Sequence, residues 1–226
     1  MKIKYAFTLI KNYRSFIFCN KVFGFKTALR LPVLIGKHVK CYGIKRGSIV
    51  LTERPYFGMV CLGISTGSSG IWKYDNCDGI IDLSGGTITF GQNINISKGF
   101  CLKAIEDSIV HIGSNFSANS YFTLLAKKEI TIGKDCLLGW NVLMNDGDGH
   151  SVVSSITGDT LNSKKAIIVH DHVWISANVS ILKGTHIQSN SIVGYGSTIG
   201  RKFKQTNVCI AGSYPGTIVK DNINWK

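Results

Sequence analysis

Between Val169 and Ile199 the chain reads VHDHVWISANVSILKGTHIQSNSIVGYGSTI. Every sixth residue (Val169, Ile175, Ile181, Ile187, Val193, Ile199) is a β-branched aliphatic. A period of six is neither the helical period nor plain strand alternation; it is the repeat of a β-helix. A helix would need apolar residues three and four apart, where this stretch mixes Asn, Ser, Lys and Gly. Four residues past the aliphatics stand Val173, Val179, Thr185, Ser191 and Ser197, a second inward position filled by smaller side chains. The pattern predicts a triangular coil in which three hexads, about 18 residues, make one turn. Successive turns stack at the strand-pairing distance of about 4.8 Å.

The same phase recurs upstream in shorter runs: Phe90, Ile96, Leu102; then Ile112, Ala118, Leu124; then Ile132, Leu138, Met144. It slips between runs, as it must where a corner carries extra residues. Gly-punctuated strands are expected over 48–52, 58–64, 80–83 and 87–90, and a last strand over 208–211. Residues 145–167 are polar and Gly-rich and break the repeat, so they are expected as a loop expelled from a corner. A loop this long in a compact domain is more often functional than ornamental. The expected fold class is therefore mainly β: a parallel β-helix over 47–218, an N-terminal segment 1–46 with short helices, and a tail 219–226.

The net charge of +13 is unevenly placed. Residues 1–50 hold 11 Lys and Arg and no acid, whereas 51–226 hold 15 basic and 13 acidic residues. Tyr5, Phe7, Tyr13, Phe16, Phe18, Phe23 and Phe25 are interleaved with the first of these cations. Such a segment suits a helical cap over the open first coil, or a peripheral contact with an anionic membrane or an acidic, lipid-linked saccharide. No apolar run reaches membrane-spanning length, and the one near Met1 is too short for a typical signal peptide. Seven Cys without metal spacing read as small buried residues of a reduced, cytoplasmic protein. Neither a P-loop nor a GxGxxG motif occurs, and no nucleic-acid partner is expected.

His150 is the sharpest candidate for chemistry. It closes Asn145-Asp146-Gly147-Asp148-Gly149-His150 at the foot of the loop. An imidazole can take a proton from a hydroxyl, and Asp146 or Asp148 could orient it. His170, His172 and His186 fall at variable hexad positions and read as solvated, while His38 and His111 stand alone. No third ligand joins His170 and His172, so no metal is expected.

The C-terminal two-thirds resembles the hexapeptide-repeat O-acetyltransferases, the group holding galactoside, maltose and many capsule or O-antigen acetyltransferases. Three stretches carry the likeness: Thr131 to Met144 leading into Gly149-His150, Asp171 to Gly184, and Ile192 to Ser197 with Ala211-Gly212 and Pro215 beyond. The resemblance implies a left-handed coil, a homotrimer with sites shared between chains, acetyl-CoA as donor, and a sugar, nucleotide-sugar or lipid-linked saccharide as acceptor. It makes His150 the general base and Asn119 an acceptor contact, with Asp146 and Asp148 beside the acceptor. Trp174, Ser176, Ala177, Gly194, Tyr195 and Gly196 would line the cofactor groove. Arg201 and Lys202, with Lys183 and Lys204, would meet the phosphates. Several positions depart from the family pattern: Lys127 stands where an acceptor-contacting Asp is usual, and Tyr195 interrupts a Gly-Ala-Gly. A galactoside acceptor is therefore not implied. Two other classes remain open, a non-catalytic scaffold and a zinc carbonic anhydrase of the same coil, although the His pair five apart that the latter needs does not occur.

Overall fold

The computed structural model describes residues 2–65 and 78–226. Cys77 and the side chains of Lys2, Lys4 and Tyr5 lie outside the described residues. Short strands form three parallel sheets, the faces of a triangular prism. The chain visits the first, second and third face in turn and then returns, so each strand pairs with its counterpart one turn earlier. Ile96, Ala118, Leu138, Ile175, Val193 and Ile210 stack in one row on the first face. Leu102, Leu124, Met144, Ile181 and Ile199 stack on the second. Phe90, Ile112, Ile132, Val169 and Ile187 stack on the third. Ile210 apart, these rows are the predicted sixth-residue positions, and all are buried. The small inward set from Val173 to Ser197 is buried as well. Removing each aliphatic from water contributes about 1.5–3 kcal/mol, and the continuous rows make one core along the prism axis.

The coil begins earlier than the expected boundary at residue 47. Val33–Ile35 and Val39–Tyr42 already pair with Val60–Leu62 and Gly79–Asp82 as the first turn. Three helices precede it: α1 (Lys2–Lys11), α2 (Tyr13–Phe23) and α3 (Phe25–Ala28). Helix α2 buries Ser15, Phe18, Cys19 and Val22. The Ser15 hydroxyl accepts a hydrogen bond from the Ile35 amide at 3.0 Å, and the Cys19 thiol donates to the Val33 carbonyl at 3.3 Å. The helix thus closes the edge of a strand that has no earlier turn to pair with. Burial pushes the Cys19 thiol up to about 11. At the other end Thr217–Lys220 turns antiparallel onto Cys209–Ala211, so the tail proper is 221–226. Among the described residues no helix is long and apolar enough to cross a membrane.

From Phe90 to Ile199 the corners on two of the three edges are uniform. Asn93, Asn115, Asn190 and Asn207 on the third-to-first edge, and Asn141 and Asn178 on the first-to-second edge, all adopt positive φ. Asn tolerates this left-handed geometry, and its side chain can bond to the corner above. Asn93 donates to Asn115 at 2.9 Å, Asn115 to Asp135 at 2.8 Å, and Asn141 to Asn178 at 2.7 Å. Gly139 is required where coils touch: a Cβ there would lie 2.5 Å from the Ala177 nitrogen.

The second-to-third edge is different. From Leu102 to Ile112 the row-to-row step is ten residues, from Leu124 to Ile132 eight, and from Met144 to Val169 twenty-five. Only with Ile181 to Ile187 does it return to six. Between Phe90 and Ile199 every phase slip falls on this one edge; earlier, Leu51 to Leu62 takes eleven residues and Leu62 to Ile81 nineteen on the other two.

Candidate active site

The expelled loop leaves the irregular edge after Asn145 and rejoins the third face at Ile167. Its root is Asp146, which is fully buried. One carboxylate oxygen accepts from the Lys127 amide at 2.7 Å; the other accepts from the amides of Lys128 at 2.9 Å and Glu129 at 2.7 Å. Three charge-assisted hydrogen bonds fix the corner below to the start of the loop. This corrects the expectation that Asp146 meets the acceptor or the imidazole: its oxygens are committed to the backbone. Asp148 is exposed, and its Oδ2 accepts from Lys183 Nζ at 2.5 Å and Asn162 Nδ2 at 2.7 Å. Those two donors, Lys183 first, hold its carboxyl below the ordinary value of 3.8.

Asn162 is the residue that sequence reasoning missed. Its amide nitrogen also donates to the His150 carbonyl at 2.7 Å, while its oxygen accepts from the Val152 amide at 2.7 Å. It ties the outgoing and returning halves of the loop together. Beyond it the loop is a small hairpin, with Val153 opposite Thr160 and the Leu161 amide donating to the Val152 carbonyl at 2.8 Å. Val152, Val153, Ile156 and Leu161 on this hairpin are exposed, Ile156 at 92%. The returning strand is held by an ion pair between Lys164 and Glu106, which also pairs with Lys127 at 3.3 Å.

His150 therefore sits on a backbone pinned by Asn162, four residues beyond a buried clamp. Its imidazole is exposed and makes no hydrogen bond among the described residues. Neither Asp146 nor Asp148 orients it within this chain. Alongside, on the same edge, lies a basic recess of about 460 Å³ lined by Lys128, Lys165, His186, Arg201, Lys202 and Tyr214. Burial, then the charge of Lys202 and of His170, lowers the His186 pKa. Lys183, expected at a phosphate, is engaged by Asp148 and by the Asn162 carbonyl.

The remaining expected residues occupy another edge. Asn119, Ser176, Ala177, Gly194, Tyr195 and Gly196 follow first-face strands at the first-to-second corner. There the Ser176 amide donates to Val193, the Gly194 amide to Ile210 and the Gly196 amide to Ala177. The exposed Tyr195 ring accepts a hydrogen bond at its hydroxyl from Asn178 at 2.6 Å. Trp174 lies on the outer surface of the first face, its ring 6.4 Å from Trp225 of the tail. Trp225 stacks on His172 at 4.3 Å and donates to its carbonyl, so His172 is not the freely solvated residue expected. One chain thus brings His150, Arg201 and Lys202 to one edge and Asn119 with the Gly194–Gly196 segment to another. Among the described residues no three His, Cys, Asp or Glu side chains converge on one point. Burial raises the thiol of Cys136 to about 12, which makes it a packing group and not a nucleophile.

Residues 166–201 match the model for bacterial transferase hexapeptide (six repeats). WbbJ of Escherichia coli (strain K12), provisionally named a lipopolysaccharide biosynthesis O-acetyl transferase, is 28% identical over 143 residues, 60% of this chain and 72% of that protein. Residues 166–201 thus carry the hexapeptide repeat, and the proteins similar to this chain are named acetyltransferases. The polysialic acid O-acetyltransferase of Escherichia coli O1:K1 / APEC is 34% identical over 123 residues, 54% of this chain but only 39% of that protein. Among solved structures, the polysialic acid O-acetyltransferase OatWY superposes with a TM-score of 0.50 at 25% identity, covering 86% of each chain. The prism is accordingly the left-handed parallel β-helix of this class.

Proposed function

We propose that this acetyltransferase uses acetyl-CoA to acetylate a sugar hydroxyl during surface-polysaccharide synthesis, with His150 as general base. The observation that carries this reading is the exposed imidazole, unpartnered among the described residues, on a loop root braced by Asp146, Asp148 and Asn162. His150 removes the hydroxyl proton as the oxygen attacks the thioester carbonyl. The tetrahedral adduct collapses, the C–S bond breaks, and the imidazolium returns its proton to the departing CoA thiolate. No acyl-enzyme forms. The basic recess with Arg201 and Lys202 suits the phosphates of CoA, which carry several negative charges. The backbone corner at Gly194, Tyr195 and Gly196, with Ser176 and Ala177 beside it, would line the pantetheine arm; Asn119 would contact the acceptor.

Because the two groups of residues lie on different edges, a complete site needs a neighbour's edge. We propose a homotrimer in which the loop edge of one prism meets the first-to-second edge of the next. The exposed apolar hairpin with Val152, Val153, Ile156 and Leu161 suits such a contact. The names of the relatives support a saccharide as acceptor; a nucleotide-sugar or lipid-linked form of it is part of the proposal.

The test is thiol release from acetyl-CoA against a panel of capsule-type and O-antigen-type saccharides, with mass spectrometry of the products. His150→Ala is expected to lower turnover by a factor on the order of 10²–10⁴ without altering the fold. Equal turnover by the variant would remove His150 from the mechanism.

A further inference from the structure

Helix α2 does more than close the first coil. While Ser15, Phe18, Cys19 and Val22 face inward, a second stripe faces out. Helices α1 and α2 run on with one turn between them, the Asn12 amide bonding to Thr8 and the Phe16 amide to Asn12. Phe7, Ile10, Arg14, Ile17 and Lys21 follow steps of three and four and so share one side; Lys11 and Tyr13 flank it. The apolar members are large and uncovered: Phe7 69%, Ile10 70%, Tyr13 60% and Ile17 60% exposed. Lys11, Arg14 and Lys21 are exposed among them. Beside the stripe, between α2 and the first coil, runs a groove of about 290 Å³. Its floor holds Phe18, Ile35 and Ile44, and its rim holds Arg14 and Lys21.

We propose that this face is a docking surface for an anionic lipid bilayer, with the rings and aliphatics at headgroup depth and the cations against lipid phosphates. Three observations commit it to that occupant. The stripe is both apolar and cationic, the combination that holds an interfacial helix on a charged membrane. The inward face is already used by the coil, so covering the stripe is not needed to close the fold. A second copy of this chain would bring like charges together, since residues 1–50 hold 11 basic residues and no acid. The inference does not rest on the reaction proposed above, although it would bring the enzyme to acceptors assembled at a membrane.

The experiment is co-sedimentation of the full chain with vesicles of phosphatidylcholine alone or mixed 7:3 with phosphatidylglycerol, at low and high salt. Binding is expected only to the anionic vesicles and to weaken with salt. Each cation near the surface strengthens binding about fivefold, so replacing Lys11, Arg14 and Lys21 by Gln should weaken it on the order of 100-fold. Replacing Phe7, Ile10 and Ile17 by Ser, with unchanged circular dichroism and melting temperature, should abolish it. The result that overturns the proposal is full-length chain left in the supernatant of anionic vesicles at low salt. Undiminished binding by the Ser variant would overturn it too, because a purely ionic contact needs no apolar stripe. So would a Ser variant that changes the oligomeric mass in lipid-free light scattering while the parent ignores vesicles; the stripe would then be a subunit contact.

Discussion

Two edges of the same prism solve the corner problem in different ways. On the third-to-first edge every step is six residues long, from Phe90 to Ile96 up to Ile187 to Val193. Its corners are braced by single side-chain hydrogen bonds, Asn93 to Asn115 and Asn115 to the Asp135 carboxylate. On the second-to-third edge the steps are ten, eight and twenty-five, and charged groups brace them: Glu106 with Lys127 and Lys164, Asp146 with three backbone amides, Asp148 with Lys183. Regularity serves stacking. The irregular edge gives up stacking to project a loop, and it is the edge that carries His150. A ladder of single side-chain bonds repeats a corner cheaply, whereas holding nineteen extra residues against solvent requires several charge-assisted bonds together.

The largest effect should come from breaking what both edges share. Ile181→Asp puts a carboxylate into a row where Met144 and Ile199 are its neighbours and nothing can hydrogen-bond it. Insoluble protein, or loss of the folded signal in circular dichroism, is expected; a soluble and active variant would contradict the inward phase of the hexads. Next is Asp146→Asn. An amide keeps one acceptor oxygen but turns N–H donors toward backbone donors, so about 2 kcal/mol of stability should be lost. Turnover should fall about tenfold as the loop root loosens, and faster hydrogen exchange across 146–166 would locate the effect. Asn115→Ala on the regular edge is the control. It removes two exposed side-chain hydrogen bonds, from Asn93 and to Asp135, and forces Ala to φ near +58°, so a loss of about 1 kcal/mol, mostly the left-handed strain, is expected with turnover unchanged. A catalytic defect there would erase the distinction between the edges.

The smallest effect concerns pH. The Asp148 carboxyl is held below its ordinary 3.8, so its bond to Lys183 is favoured wherever the unfolded carboxylate is ionised. That contribution is complete above the ordinary value and disappears as pH falls through the lowered one. The Asn162 side-chain amide resonances should therefore stay fixed from pH 7 to 5 and move only in stronger acid. Movement between pH 7 and 5 would show that Asp148 does not hold the loop.

Much of this fold is legible from Val169 to Ile199, because a prism interior admits only stacked side chains and so imposes its period on the sequence. The slips before Ile112, Ile132 and Val169 were visible too, but sequence alone does not say that they share an edge; register does. Leu31 to Ile35 read as extended, but its membership of the coil was hidden because Gly36 and His38 interrupt a first turn that the helices complete. At the site, His150 stood out through its place at the foot of a loop. Asp146 and Asp148 looked equivalent two residues apart, yet one points inward to three amides and the other outward to a lysine. Asn162 carried no signal, since its role depends on a hairpin closing over twelve residues. The separation of Asn119 from His150 onto different edges was likewise invisible along the chain.

That separation is the most direct point of attack on the shared-site reading. His150→Ala and Asn119→Ala are each expected to impair transfer, because each spoils one of the two edges. Co-expressed in equal amounts, they should assemble mixed trimers in which about one site in four joins an intact His150 edge to an intact Asn119 edge. Turnover in the mixture should then rise to about a quarter of the parent's. A mixture no more active than the average of the two variants would contradict a site shared between neighbouring chains.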